Sequence, residues 1–325
     1  MNWKKLAFIP LSLTLSSCFG YMVPGENFRG PSVKSEQVKQ YYFYKKQNIV
    51  HTTEILETTA NYTIKRLEFK SSMHTKPDND TVKVDYYDVN GEQKTPLIII
   101  SPILGGNNKV SKIFAEYFAN HGLANAIVHR PKDKMPYNND YAGGLENILK
   151  QSIMDTRRAI DILEQFPDID KNKIGSFGVS LGAIKNATLA GIEDRLKVNI
   201  FVMGGADIPD ILAHSKEGGI IDALNDVFHE KGGDVVFDAL RKLIISDPKN
   251  LAQYIDDENS LMYISLFDEV VPVKNQKLLR DLIGHPNVIY LWAGHYSAAT
   301  FLLPPVHSIQ RTSYNFFKER FNALD

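Results

Sequence analysis

Five consecutive residues near the middle of the chain have the types and spacing to do covalent chemistry. Gly178-Val179-Ser180-Leu181-Gly182 fits G-x-S-x-G, between an apolar run at 174–177 and a helix-forming run that opens near Leu181. A serine on so sharp a strand-to-helix turn is held in a strained backbone conformation, and glycines on either side leave room for the turn. Its hydroxyl is a weak nucleophile at neutral pH. It needs a base within hydrogen-bonding reach, and the base needs a carboxylate to orient it. The chemistry such a set supports is acyl transfer through a covalent intermediate.

The partners must come from elsewhere in the chain, so the elements that carry them matter. Residues 62–69 and 81–89 alternate in the manner of strands, and Asn90-Gly91 closes the second as a turn. Leu97-Ile98-Ile99-Ile100 is apolar on both faces, as a buried parallel strand should be. Helix and strand then alternate: a helix over 110–120, a strand over 124–128, and a long amphipathic helix over 145–166 with its stripe on Ile148, Ile153, Ile160 and Leu163. A strand at 173–177, a helix at 181–190 and strands at 198–203 and 261–267 follow. The chain ends with a helix at 273–282, a strand at 288–292 and a helix at 306–321. This order predicts an α/β fold: a mostly parallel, doubly wound sheet with helices on both faces and antiparallel strands only at its start. Residues 208–258 break the alternation with about fifty helical residues, where a crossover needs only a dozen or so. They read as a helical cap inserted over the sheet edge.

In an open parallel sheet, sites form at the carboxyl ends of the strands. Of the nine histidines, His295 follows the 288–292 strand directly, whereas His285 precedes it. His307 lies in the last helix, His214 and His229 in the insertion, and His51, His74 and His121 away from strand ends; His129 ends a strand and is the competitor. The same rule selects Asp268, directly after the 261–267 strand, with Asp207 after the 198–203 strand as the alternative acid. The chain order is then Ser180, Asp268, His295.

From about residue 60 onward the sequence resembles the α/β-hydrolases, in particular their esterase and dienelactone-hydrolase-like branches. The resemblance rests on the elbow at Ser180, the run from Asp268 to Pro272, and Gly294-His295 after the last strand. It implies a helical cap before the acid strand, no cofactor, and an oxyanion hole of two backbone donors. One is the N–H of Leu181; the other comes from the loop after the 97–100 strand, on Ile103 or Leu104, since Pro102 has no N–H. The family often carries His-Gly in that loop, where this chain has Ser101-Pro102-Ile103-Leu104-Gly105-Gly106. No H-E-x-x-H, paired cysteines or glycine-rich nucleotide fingerprint is present, so no metal or nucleotide is expected.

The amino terminus has a different character. Lys4 and Lys5 precede an apolar run at 6–15, and Leu15-Ser16-Ser17-Cys18 closes it. That is the layout of a secretory signal, too short to span a bilayer, and its end resembles a bacterial lipobox. The resemblance implies a leader over 1–17 and acylation of Cys18, the only cysteine, which anchors the chain in the cell envelope. Phe19, where Asp would favour inner-membrane retention, points to the outer membrane. Residues 18–59 read as tether and lead-in, with Tyr41, Tyr42, Phe43 and Tyr44 either docking by simple packing on a catalytic domain over 60–325 or forming a binding strip. The chain has 325 residues, 43% hydrophobic, and a formal charge of -1 without a basic tract, which argues against a nucleic-acid partner. The expected partner is a small-molecule or lipid ester. Lipase, thioesterase and peptidase activities, and a non-catalytic binding protein on the same fold, are the competing readings.

Overall fold

The computed structural model of the protein describes residues 20–73, 75, 80–91, 93–103, 109–129, 141–302 and 308–324. Cys18 and the leader, Leu104, Gly105, Gly106, His74 and His307 lie outside the described residues. In chain order the elements are β1 (Gly20–Val23), α1 (Glu36–Tyr41), β2 (His51–Thr58), β3 (Tyr62–Lys70), β4 (Thr81–Val89), β5 (Thr95–Ser101), α2 (Lys109–Asn120), β6 (Ala124–Val128) and α3 (Tyr141–Leu163). There follow β7 (Ile169–Val179), α4 (Leu181–Ile192), β8 (Leu196–Val202), α5 (Ile208–His214), α6 (Gly218–Lys231), α7 (Gly233–Leu243), α8 (Pro248–Leu251), β9 (Ser260–Ser265), α9 (Val273–Ile283), β10 (Asn287–Leu291) and α10 (Ser308–Asn322).

All ten strands join one sheet in the order β1-β10-β9-β8-β7-β5-β6-β4-β3-β2. The six from β10 to β6 run parallel, and β4, β3 and β2 continue antiparallel beyond β6. Successive residues of β5 serve opposite faces. Leu97 and Ile99 belong to one core cluster with Ile160 and Leu163 of α3, Ala187 of α4 and Leu279 of α9; Ile98 and Ile100 belong to another with Phe114 and Phe118 of α2 and Phe317 of α10. This period-two split of an unbroken apolar run makes helical layers on both faces necessary. Phe317 is wholly buried, and its truncation to Ala is expected to cost about 3–5 kcal/mol.

The lead-in differs from the sequence expectation. No strand is read from the sequence over 18–59, yet β1 pairs antiparallel with β10 at one edge and β2 with β3 at the other. Both strands are exposed over most of their length, so they carry no apolar alternation that the sequence could reveal. Between them the aromatic run docks by packing. Tyr42 is buried with its hydroxyl 2.9 Å from Ser246 Oγ, while Tyr41 and Tyr44 donate to Glu146 and Asp161. Phe43 is exposed.

The helical block expected over 208–258 consists of two parts. α5, α6 and α7 share a separate apolar cluster (Leu212, Leu224, Val236 and Leu240) that rests on Tyr141 and Leu145 of α3 and on Ile184 of α4. Leu251, Ala252 and Ile255, by contrast, belong to the main core. The buried Asp247 carboxylate marks the change: it accepts from the N–H groups of Asp207 (3.0 Å), Ile208 (2.6 Å) and Lys249 (2.8 Å). It thereby ties the entry of the excursion to its exit.

Candidate active site

The carboxyl edge of the parallel strands carries the residues singled out above. β7 ends at Val179 and α4 begins at Leu181, so Ser180 is the whole turn. Its backbone sits at φ 56, ψ −125, a region that non-glycine residues avoid, and its N–H donates to Val202 O (2.8 Å). The flanking glycines are required by close approach. A Cβ on Gly178 would lie 2.4 Å from the Gly182 carbonyl oxygen, and one on Gly182 would lie 2.2 Å from that of Ser101. The second contact presses the loop after β5 against the elbow. Ile103, on that loop, therefore lines the same cavity as Ser180. The N–H of Leu181 heads α4 and has no acceptor among the described residues, the usual state of a first-turn amide. Leu104, the alternative second donor, lies outside the described residues.

Asp268 and His295 meet directly, with the imidazole Nδ1 2.8 Å from Asp268 Oδ2. The carboxylate is buried and held from several sides. Oδ1 accepts from the N–H groups of Val270 and Val271, each at 2.9 Å, and Oδ2 accepts from Gln276 Nε2 at 3.0 Å. Gln276 is itself fixed, accepting from the Ser265 N–H (3.1 Å) and donating to Val271 O (2.8 Å). The other imidazole nitrogen is free of Asp268. His295 and Ser180 both line one cavity of about 330 Å³, with Val110, Phe114, Val202 and Ile309 among its apolar walls. No hydrogen bond joins the Ser180 hydroxyl to His295 among the described residues. In unliganded sites such contacts are commonly long and tighten with substrate.

Glu217 and Tyr296 stand at the cavity, and the Tyr296 hydroxyl donates to the Glu217 carboxylate. That carboxylate, with some desolvation, pushes the Tyr296 phenol up to about 12. The backbone of Lys216 also donates to Glu269 O at 2.8 Å, so the segment between α5 and α6 is fastened to the loops that bear both Asp268 and His295. Sequence reasoning missed Gln276 and Glu217. Gln276 is eight residues beyond Asp268 on α9, a two-turn reach that only the packed helix defines. Glu217 arrives from the inserted helices.

The alternatives lie elsewhere. Asp207 caps α5, accepting from the Asp210 N–H, and pairs with Lys249 (2.6 Å). His129 places Nε2 2.7 Å from Asp85, on the strands beyond β5. His285, His214 and His121 are bound near Asp281, Asp210 and Tyr117 respectively. No cluster of three or more metal-ligating side chains occurs among the described residues. No described helix is long and apolar enough to cross a membrane.

No protein-family model matches the chain, and no curated protein is detectably similar in sequence. Solved structures are similar in shape. Acetyl xylan esterase 1 from Thermoanaerobacterium sp. JW/SL YS485 aligns over 90% of this chain and 96% of its own, at 16% identity and a TM-score of 0.70. An acetyl xylan esterase from Paenibacillus sp. R4 aligns over 96% and 99%, at 16% identity and 0.68. The alpha/beta hydrolase GrgF from Penicillium sp. sh18 aligns over 84% and 99%, at 15% identity and 0.53. Identity this low speaks to architecture alone. Together with the strand order, the elbow and the helices on both faces, it establishes that this chain has the α/β-hydrolase fold.

Proposed function

We propose that the protein is a serine hydrolase acting on carboxylic esters through an acyl-enzyme. The observation that carries this reading is the His295 imidazole, hydrogen-bonded at Nδ1 to a buried carboxylate and facing the same cavity as a strained elbow serine. Ser180 Oγ attacks the ester carbonyl while His295 Nε2 takes its proton. The N–H groups of Leu181 and Ile103 stabilise the oxyanion; Asp268 holds the tautomer and stabilises the imidazolium that forms. His295 then protonates the leaving alcohol, and in the second half it activates the water that releases the acid. The esterases named above share the architecture, which supports the same reaction class.

A longer acyl group than acetyl is favoured by the cavity. Its walls are mostly apolar, and about 330 Å³ falls within the range of small-ligand sites, roughly 300–1,000 Å³. An acetyl group needs far less. Acylation of Cys18 and a site of action in the cell envelope complete the proposal, supported by the order of basic, apolar and small residues before that cysteine. The experiment is turnover of a p-nitrophenyl ester series by the wild type and by Ser180→Ala, alongside labelling with a fluorophosphonate probe. Labelling that persists in Ser180→Ala, or an unchanged rate, rules the mechanism out.

A further inference from the structure

We propose that the cavity mouth faces a lipid bilayer and that Tyr21, Phe267, Trp292 and Tyr296 form the contact, so that the substrate is an ester held in the membrane. The substrate clause rests on the esterase reading, and the contact rests on the acylation of Cys18 proposed with it.

Isolated apolar residues on a surface need no explanation, but a contiguous set beside a site does. Phe267 is 60% exposed, Trp292 56% and Tyr296 70%. Phe267 immediately precedes Asp268, and Trp292 lies three residues before His295. The Phe267 and Trp292 rings are 6.4 Å apart, and the Phe267 carbonyl lies against Gly294, the neighbour of His295. The patch continues onto the sheet's edge strand. Tyr21 stacks on Tyr290 at 5.0 Å, on the face that Trp292 shares two residues later, and is itself 47% exposed. Glu217, which lines the cavity, accepts from Tyr296, and Lys216 beside it pairs with Glu269. Trp, Tyr and Phe are the side chains that settle at the boundary between acyl chains and headgroups.

The register of β1 names the occupant. β1 runs antiparallel to β10 with Gly20 opposite Leu291, so Gly20, the first described residue, sits at the carboxyl edge one step from Trp292. Cys18 is two residues from Gly20, a reach of at most about 7 Å. Acyl chains on that residue bring the bilayer to the very edge that bears Ser180, Asp268 and His295. A membrane-held acyl group then enters the apolar cavity without crossing water, which removes the cost of hydrating it.

Trp292 supplies the test, because Trp3 is the only other tryptophan. The full chain is expressed in a bacterial host so that Cys18 can be acylated, and is reconstituted with phosphatidylethanolamine–phosphatidylglycerol vesicles containing a brominated lipid; Trp3 leaves with the leader, and Trp3→Phe silences it in any unprocessed chain. Trp292 emission is expected to shift to shorter wavelength and to fall at least twofold, with iodide in the water losing access. Phe267→Ser is expected to lower, at least fivefold, the ratio of turnover of bilayer-dissolved methylumbelliferyl oleate to that of dissolved p-nitrophenyl butyrate. Trp292 that stays open to iodide and unquenched by the brominated lipid overturns the contact; so does protection by xylan in place of vesicles, which assigns the aromatics to a polysaccharide. Quenching needs no catalysis. A sample that shows it but hydrolyses neither ester keeps the membrane contact and loses the esterase reading.

Discussion

Among the described residues, two imidazoles that follow strand ends pair with a buried carboxylate, and the pairs differ in what surrounds that carboxylate. Asp85 on β4 lies 2.7 Å from His129 and is also gripped by Arg66, whose Nε and Nη2 reach its two oxygens at 2.8 and 3.0 Å. Asp268 lies 2.8 Å from His295, but its other partners are two backbone N–H groups and the Gln276 amide. Both carboxylates are buried. One is neutralised by a permanent cation, so little of its field is left for the imidazole. The other is held by neutral dipoles, so its charge is available to an imidazolium that forms during a reaction. The pairs also differ in reach, since His129 spends Nε2 on its carboxylate whereas His295 spends Nδ1 and turns Nε2 to the cavity. A histidine beside an aspartate is therefore not enough to mark a base; the charge balance and the free nitrogen decide.

That contrast breaks most sharply at the proposed nucleophile. Ser180→Ala is expected to lower kcat for a short-chain p-nitrophenyl ester by about 10⁴-fold or more, with melting little changed. Asp268→Asn should cost about 10³- to 10⁴-fold in kcat by disturbing the His295 tautomer. Asp85→Asn is the matched control. It should leave kcat within about twofold but remove about 2 kcal/mol of stability, because Arg66 loses its buried partner; chemical denaturation with a parallel assay reads both. Equal losses of kcat in the two aspartate variants would erase the distinction between the pairs.

The same control carries a pH signature. Burial alone would raise the Asp85 carboxyl, but the hydrogen bonds from His129 and Arg66 outweigh it and hold the group at about 2. A carboxyl whose folded value lies below its unfolded value of about 3.9 stabilises the fold above that pH and ceases to as pH falls through the folded value. The acid limb of a stability–pH curve, between about pH 4 and 2, should thus be shallower in Asp85→Asn than in wild type. Glu193, also held at about 2 against burial by Arg195 and Arg157, keeps the rest of that limb. The smallest effect is expected from Gln276→Ala. Loss of one hydrogen bond to a carboxylate, roughly 1.5 kcal/mol, is worth about tenfold in kcat, with KM little moved. An unchanged kcat would reduce Gln276 to a packing role.

Legibility from sequence followed the range of the interactions. The elbow is local: an apolar strand, a turn with glycines at fixed offsets and a helix, all within about twenty residues. β9, α9 and β10 could be read because each carries its own periodicity, and the strand-end rule then pointed to Asp268 and His295. β7 extends to Ile169, beyond the expected 173–177, where residues 170–173 are polar and at least partly exposed and so carry no apolar run. β1 and β2 escaped notice for the same reason: they are held by ladder hydrogen bonds to a neighbour, and solvent-facing edges impose no apolar alternation. Residues 245–258 looked continuous with the inserted helices because helical spacing does not say which core a stripe will meet.

Taken by itself, the sequence determined the alternation of elements, the position of the strained serine and the strand ends from which partners could come, because those follow from local sterics and from burial of apolar side chains. Only the tertiary structure decided which carboxylate meets which imidazole, that Gln276 and two N–H groups rather than an arginine hold Asp268, and that the chain enters the sheet beside Trp292. Those outcomes depend on distances of about 3 Å between residues far apart in the chain, which the packing of the sheet and its helices fixes and residue spacing does not.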